Sequence, residues 1–547
     1  MPKENKLTLL GSDTIIILLF CIALMEGVFI VSLRNYDLFE TYRKYWTIIS
    51  GLFFLAAVSV CRIVRKESFS LPLDLCLSIL FFAGILESLF ALSQFAGLVP
   101  SFNRYYAYTG SFENPAVFAM MLSFCVPVGI HKALSENRKT RSRLWLFTSA
   151  AMFVFVCFSE SRSGMLAATA GTLLMLLLES KPIRSVLLQK RTLLGLVPMG
   201  LLLSYAAYRF KADSADGRLL MWRVCLDMLR DRPLLGFGRG GFLAHYMEYQ
   251  ADYLSEHSDT PFLLLADNVN NPFNEYITLV VNHGIVGLAV LAIVVLFILK
   301  SLCENKEEGP VMLSQALVLC VWAMFSYPLS IPFVWVVMGL IVLEALPCMN
   351  LFKGSVLWYS LLAVSMCGVF LSIHKYVPER DWKVISERSI QGETERVLPE
   401  YARLQGVLSS NPNFLYNYGA ELHFSGHYVE SLDILGECSA LLNDYDVQML
   451  LADDYQQLGD TASAISHYTI AACMVPSKFL PLYYTMKLYE TMGDTANAVS
   501  TASSILSKKI KVERSKSVQR IIREAEELLS GYKTQLSVDN YGMNNSL

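Results

Sequence analysis

Long hydrophobic runs separated by short polar connections dominate the first 375 residues. A helix needs about 20 apolar residues to cross the hydrocarbon core of a bilayer. This criterion predicts eleven membrane-spanning helices, near residues 14–33, 45–64, 74–97, 115–131, 144–159, 164–180, 192–208, 276–299, 311–328, 332–347 and 356–374. The pattern therefore predicts an all-α fold, a polytopic membrane helical bundle of about eleven spans.

The distribution of lysine and arginine predicts the orientation of this bundle. If the N-terminus is cytoplasmic, the short inner loops hold seventeen lysines and arginines and the short outer loops hold five. Cytoplasmic loops are enriched in these residues. An odd number of spans then places the long connection 209–275, and everything after the last span, on the outer side.

The chain after the last span carries a second pattern, with a period of 33–34 residues. Gly459-Asp460-Thr461 recurs as Gly493-Asp494-Thr495, and a weaker copy surrounds Gly426. This spacing resembles the tetratricopeptide repeat (TPR), in which stacked helix pairs bury one another's apolar faces. The sequence predicts a soluble TPR-like domain at 381–532, after a membrane domain at 1–375, and a disordered tail at 533–547. A helical bundle with a coincidental repeat is the alternative.

The overall composition supports a large membrane-embedded part. Only 17% of the residues are charged and 54% are hydrophobic, whereas about a quarter of a soluble protein is charged. A net charge of −3 without a basic stripe argues against nucleic acid as a partner. The twelve cysteines form no Cys-x-x-Cys pair, so the sequence signals neither a zinc site nor a disulfide framework.

Four polar clusters adjoin the spans on the predicted outer side. Ionisable residues near membrane spans are candidates for function, because burying them is costly. They are residues 109–115, 159–164, 217–242 and 267–276, the last followed by Asn282-His283-Gly284. In the first cluster, Glu113 precedes an Asn-Pro pair. Asn114 fits a helix N-cap and Pro115 a first helical position, so a plain helix start is the alternative to a functional site.

Arginines mark the second and third clusters. Arg162 could hold a phosphate bidentately, or it could be a snorkelling side chain paired with Glu160. The third cluster begins as an amphipathic helix, with Trp222 and Met221 beside Arg218 and Arg223, and suits the membrane interface. It ends in a glycine-rich turn. An anionic ligand would explain its five arginines, although a solvated face accounts for some of them: Arg218, Arg223, Arg230, Arg232 and Arg239.

The fourth cluster contains Asn274 and Glu275 at the start of the eighth predicted span. Both would face the first cluster if the ends of these helices converge. Glu275 is a candidate general base. Alternatively, it is a carboxylate that the helix dipole favours at this position.

In this order the clusters resemble the O-antigen ligase and polymerase superfamily of bacterial membrane glycosyltransferases. Its members share Gly-[Ser/Thr]-Phe-x-Asn-Pro, Ser-x-Ser-Arg-[Ser/Gly], Arg-x-x-x-Trp with Pro-x-x-Gly-x-Gly, and His-Asn-x-[Tyr/Leu] ahead of Glu-x-Gly-x-x-Gly. The counterparts here are residues 110–115, 159–164, 218–222 with 233–238, and 273–287. The resemblance covers roughly residues 10–375, and some members also carry a TPR domain.

The resemblance implies a GT-C-like enzyme of the bacterial inner membrane. It would take a glycan from undecaprenyl diphosphate on the periplasmic side and pass it to a glycolipid, glycan or protein acceptor. Members look metal-independent, so no cofactor is implied. The match assigns the donor diphosphate to Arg162 and Arg218, and the arginine-rich composition of the third cluster adds Arg223 and Arg239 as candidate contacts. The TPR-like repeats would bind a protein partner.

Phe273 departs from this pattern, because members usually have histidine there and phenylalanine cannot act as a base. The role would pass to Glu275, Glu113 or His283, with Asn274 beside them, or the reaction does not need it. Loss of catalysis would leave a non-catalytic assembly scaffold. A transporter of lipid-linked glycan is the third possibility, but transporters tend to show duplication of their membrane-spanning helices, and the predicted spans show no such duplication.

Overall fold

A computed structural model describes residues 4–30, 41–65, 70–190, 212–257, 261–346, 356–511 and 515–544, with a few isolated positions between 191 and 211. Across these ranges the chain forms helices and turns and no strand. The all-α fold is therefore confirmed. The chain divides into two compact units. The first comprises Met1–Arg209, Phe273–Tyr276 and Ala289–Glu387, and the second Phe210–Pro272, Ile277–Leu288 and Arg388–Leu547.

Helices follow one another along most of the described chain. The first seven are α1 (Glu4–Phe29), α2 (Thr41–Arg65), α3 (Leu73–Phe95), α4 (Pro115–Ser135), α5 (Lys139–Phe158), α6 (Arg162–Glu179) and α7 (Lys181–Leu187). The next six are α8 (Ala212–Asp231), α9 (Gly241–Glu256), α10 (Glu275–Glu304), α11 (Gly309–Phe325), α12 (Pro332–Ala345) and α13 (Val356–Arg388). The remainder are α14 (Thr394–Leu408), α15 (Pro412–Phe424), α16 (Tyr428–Ser439), α17 (Tyr445–Gln457), α18 (Thr461–Met474), α19 (Leu480–Thr491), α20 (Thr495–Ser507) and α21 (Lys516–Asn544).

Ten of the eleven predicted spans coincide with helices, and the span at 192–208 lies outside the described residues. Among the described helices, six are long and apolar enough to cross a membrane. A seventh candidate is the pair α6 and α7, which is bent by 116°. Helices α11 and α12 are shorter, with 17 and 14 residues, or about 26 and 21 Å at 1.5 Å per residue. The protein is thus a polytopic membrane protein, and the number eleven stays a prediction.

Helix α4 lies at the centre of the first unit. Most of its residues are buried, although it contains Pro127. It packs against α3, α5, α6 and α11, and their apolar side chains form one continuous core. Trp322 of α11, fully buried, donates a hydrogen bond to Ser123 of α4 (2.8 Å). This core fixes the N-terminal end of α4, where the first polar cluster lies.

The C-terminal part of the second unit consists of helix pairs: α15 with α16, α17 with α18, and α19 with α20. The turn within each pair holds one of the repeated glycines, Gly426, Gly459 and Gly493, with φ of 81°, 82° and 72°. Positive φ is a conformation that glycine adopts without a steric penalty. The predicted intra-pair turns are therefore present, while the identity of the repeat as a TPR stays a prediction.

Two predicted boundaries fall inside helices. Helix α13 continues through 375 and 381 to Arg388, where a turn containing Gly392 (φ 94°) leads into α14. Helix α21 continues to Asn544, through most of the segment for which the sequence predicts disorder.

Candidate functional site

Two polar side chains of helix α3 hold the first cluster. The Oε1 atom of Gln94 accepts hydrogen bonds from the amides of Thr109 and Gly110 (both 2.9 Å), and its Nε2 donates to the Gly110 carbonyl (3.0 Å). Glu87 accepts from the amide of Ser111 (3.0 Å). Buried backbone groups need such partners, and both side chains are buried. The backbone of this cluster is therefore fixed by α3.

Arg43, a buried residue of α2, contacts the same cluster. Its Nη2 donates to the Ser111 carbonyl (2.9 Å) and its Nε to the Ile30 carbonyl (3.0 Å). The guanidinium carbon lies 4.9 Å from the centre of the Phe112 ring, within cation–π range. The backbone of Ser111 thus lies between an arginine, which binds its carbonyl, and the carboxyl of Glu87, which binds its amide.

Tyr327 joins the first and fourth clusters. Asn114 caps α4 as predicted, its side-chain oxygen accepting from the Ala116 amide (2.9 Å). The Nδ2 of Asn114 also donates to the hydroxyl of Tyr327 (3.2 Å). The ring of Tyr327 packs edge-on against that of Phe273, with 5.6 Å between their centres. The turn between α11 and α12 therefore brings together two clusters that are far apart in sequence.

The same turn holds Glu275. The Oε1 of Glu275 accepts a hydrogen bond from the Leu329 amide (3.0 Å), and Asn274 beside it is buried. Phe273 has a φ of 51°. A non-glycine residue in this region costs about 1–3 kcal/mol, and such strain clusters at functional sites. Glu160, in the second cluster, is the other non-glycine residue with positive φ in the described part of the chain.

The second cluster forms the start of helix α6. Ser161 is the N-cap, accepting from the Gly164 amide (3.2 Å), and the half-buried Arg162 is the first helical residue. The partial positive charge of a helix N-terminus and an arginine both favour an anion. Burial raises the pKa of Tyr108, and the charge of Glu160 raises it further. Glu160 is therefore close to the loop that leads into the first cluster.

In the second unit, helix α8 carries three of the five arginines of the third cluster: Arg218, Arg223 and Arg230. The predicted helix is confirmed, but Met221 is buried on its inner face rather than lying beside the arginines. Trp222 donates to the Pro272 carbonyl (2.9 Å). Leucines and arginines alternate at helical spacing on the exposed face: Leu219, Arg223, Leu226 and Arg230. Arg218, next to this face, is half-buried. Helix α8 thus buries one apolar face, and its exposed face carries both leucines and arginines.

The glycine-rich turn after α8 lies against a break in helix α10 at Gly284, where φ is 64° and ψ −166°. Four backbone hydrogen bonds of 2.8 to 3.2 Å join them: Phe237 N to Val281 O, Gly238 N to Asn282 O, Ile285 N to Pro233 O and Val286 N to Leu234 O. The side chain of Asn282 also accepts from the amide of Phe242 (3.0 Å), in the first turn of α9. The third cluster is therefore anchored on the segment that follows the fourth.

Two glycines make this approach possible. A Cβ at Gly236 (φ 67°) would lie 2.4 Å from the Val281 carbonyl oxygen, and a Cβ at Gly284 would lie 2.1 Å from the Leu234 carbonyl oxygen. Both the conformation and the spacing therefore require glycine. We call this pairing of 233–238 with 281–286 the glycine latch. The glycine-rich turn of the third cluster therefore has a structural role.

The predicted site residues are divided between the two units. The first unit holds Glu113, Arg162, Asn274 and Glu275, and the second holds Arg218, Arg223, Arg239 and His283. Four are exposed: Glu113, Arg223, Arg239 and His283. Within the described residues, no group of three or more His, Cys, Asp or Glu side chains is arranged to hold a metal ion.

Sequence reasoning missed four residues of the first unit: Arg43, Glu87, Gln94 and Tyr327. A signal was present for Glu87 and Gln94, because polar side chains within an apolar span are functional candidates. They are seven residues apart, and so lie on one face of α3. The sequence carried no such signal for Tyr327, because its partners Asn114 and Phe273 are distant in sequence.

Residues 147–292 match the family model described as O-Antigen ligase. This region contains the second, third and fourth clusters and covers just over a quarter of the chain. No curated protein matches the chain. The region 147–292 is thus similar to O-antigen ligases, which supports the resemblance to the ligase and polymerase superfamily.

Proposed function

We propose that this protein is a glycan ligase or polymerase that uses a glycan linked to undecaprenyl diphosphate. The observation that carries the proposal is the match of residues 147–292 to O-antigen ligases. The proposed reaction takes place on the outer side of the bacterial inner membrane. The acceptor is a hydroxyl or amide group of a glycolipid, a glycan or a protein.

In the proposed reaction the acceptor attacks the anomeric carbon of the donor sugar while the bond from that carbon to the diphosphate oxygen breaks. The leaving diphosphate gains negative charge, and fixed positive groups stabilise it most as it departs. Arg162, at the N-terminus of α6, supplies such a charge in the first unit. The motif resemblance assigns the same role to Arg218, and we propose Arg223 and Arg239, which are exposed, as further contacts.

A base must take the proton of the acceptor. Phe273 cannot, so we propose Glu275, whose Oε1 is held by the Leu329 amide. Asn274 lies beside it, and Glu113, being exposed, is the alternative base. The strained backbone at Phe273 and its contact with Tyr327 support a site at this position. Such strain persists only where the surrounding structure enforces it.

The test is complementation of a strain that lacks this protein, with surface glycan as the readout. Arg162→Ala and Arg218→Ala should each lower transfer by about 100-fold or more, as loss of a transition-state charge does. The protein should remain in the membrane at the parent level. Arg104→Ala, which removes an exposed arginine from the loop before the first cluster, is the control. Full activity of both variants would contradict the proposal.

One observation favours a second function, that of a non-catalytic assembly scaffold: Phe273 replaces the usual histidine. Glu275→Gln separates the two, because it preserves shape and removes the proton acceptor. A transferase should lose most of its activity, whereas a scaffold should support normal surface glycan. If Glu275→Gln and both arginine variants are active, the scaffold is the correct function.

A further inference from the structure

Helix α9 is tied to the helix pairs by a buried side chain. Gln250 is fully buried, and its Nε2 donates to the carbonyl of Met474 at the end of α18 (2.7 Å) and to that of Asp267 (3.2 Å). Its Oε1 accepts from the hydroxyl of Tyr246 (2.9 Å), which is also fully buried. This amide therefore bonds three groups in the interior of the second unit.

A second group of polar contacts lies at the start of α17. The backbone N–H of Asn443 donates to the Leu243 carbonyl (3.2 Å), and the side-chain Nδ2 of Asn443 donates to the carboxylate of Glu248 in α9 (2.7 Å). The side chain of Asn268 donates to Asp444 and Asp446, both at 3.0 Å. We call this set, together with Gln250 and its partners, the α9 interface.

Apolar burial accompanies these bonds. Met247 and Leu254 of α9, and Met474 and Val475 at the end of α18, are almost fully buried. A buried polar group that loses its partner costs about as much as the hydrogen bond itself. The polar groups of the α9 interface are therefore paired, and separating α9 from the helix pairs would leave Gln250 and the Met474 carbonyl without these partners.

The interface extends to the arginines through α8. Helix α9 packs against α8, whose buried face includes Val224, Cys225 and Met228 and whose outer part carries Arg218 and Arg223. The glycine latch lies in the connection between α8 and α9 and binds it to residues 281–286, and the side chain of Asn282 binds the first turn of α9.

We propose that the helix pairs 412–507 are a positioning element for the arginine-bearing helix α8. The sequence predicts that these repeats recruit a partner, but the ends of α17 and α18 are occupied by the chain's own helix α9. Any partner of the repeats would bind elsewhere on them. Only the role of the arginines rests on the proposed function; the positioning itself does not.

The test is amide hydrogen exchange of the full chain in lipid nanodiscs. Asn443→Ala alters only the helix-pair side of the α9 interface. We expect roughly tenfold faster exchange in α8 and α9, because local stability depends on these bonds. Exchange in α2, in the other unit, should be unchanged. Gln250→Ala should produce the reciprocal effect at the end of α18.

Gln457→Ala is the matched control, since Gln457 is an exposed amide of α17; it should leave α8 and α9 unchanged. If Asn443→Ala speeds exchange only around residue 443, the proposal is wrong. Should Gln250→Ala fail to accumulate, Asn268→Ala, at a half-buried position, provides the second measurement with the same expected result. This readout requires no glycan transfer, so a failure of the proposed function would be seen separately in the arginine variants.

Discussion

Single polar side chains determine how the first cluster is presented. Gln94 and Glu87 satisfy the backbone of residues 109–111 from within an apolar helix. Desolvating such groups is costly, and hydrogen bonds to the loop recover part of that cost. The cluster is therefore held by α3 and α2 as well as by its own helix cap. The N-cap at Asn114 was predictable from the Asn-Pro pair, whereas the hydrogen bonds from α3 and α2 to the backbone of residues 109–111 were not.

A buried pair in the repeats predicts a pH dependence. His423 lies 2.7 Å from Asp454, which is fully buried, and this hydrogen bond raises the pKa of His423 above its usual 6.5. Stability from a raised histidine pKa is fully present below the unfolded value and is lost as pH rises through the folded one. The packing of α15 on α17 should therefore be weaker at pH 9 than at pH 6.

The measurement is exchange of the amides of α15 and α17 at both pH values, after correction for intrinsic rates. His423→Gln should remove the difference. His257→Gln, at an exposed histidine, should leave it intact. Equal protection at both pH values in the parent would contradict the assignment.

At the scale of elements, the glycine latch is the strongest local constraint on the third cluster. Gly284→Ala and Gly236→Ala should each destabilise the protein. A left-handed conformation alone costs a non-glycine residue about 1–2 kcal/mol, and the new Cβ would also collide with a carbonyl oxygen. Thermal unfolding of the purified protein measures the loss as a lower midpoint.

Gly238→Ala separates the two contributions. Gly238 has a φ of 89°, but a Cβ added there would have no other atom within 4 Å, so only the conformational penalty should appear. Gly217→Ala, where φ is not positive and space is open, should be close to neutral. If Gly284→Ala and Gly238→Ala lower the midpoint equally, close approach at the latch is unimportant.

The elements themselves were largely predictable. Apolar runs of sufficient length located ten helices, and glycines at 33–34 residues located the turns of the helix pairs, because both signals are local. The contacts of Tyr327, the glycine latch and the α9 interface were not predictable, because each joins segments distant in sequence. The burial of Met221 was not predictable for the same reason. Hydrophobic periodicity identifies a helix, but the elements that pack against the helix decide which of its apolar residues are buried.

For the whole molecule, the sequence predicts an orientation in the membrane from the distribution of lysine and arginine and from the predicted number of spans. An odd number of spans puts the N- and C-terminal parts on opposite sides. A periplasmic reporter fused after Gly392, in the turn at the end of α13, should be active. The same reporter fused after Asn137, between α4 and α5, should be inactive. Activity in the reverse pattern would invalidate the predicted count and orientation.

The α9 interface also dictates an order of events during synthesis. Gln250 and Met474 are separated by 224 residues, which a ribosome adds in roughly 11 to 45 s at 5–20 residues per second. Throughout that interval the side of α9 that packs on α18 has no partner, and exposed apolar surface of this kind is prone to aggregation and degradation. Truncated chains that end before the helix pairs should consequently be degraded even when their membrane helices have inserted.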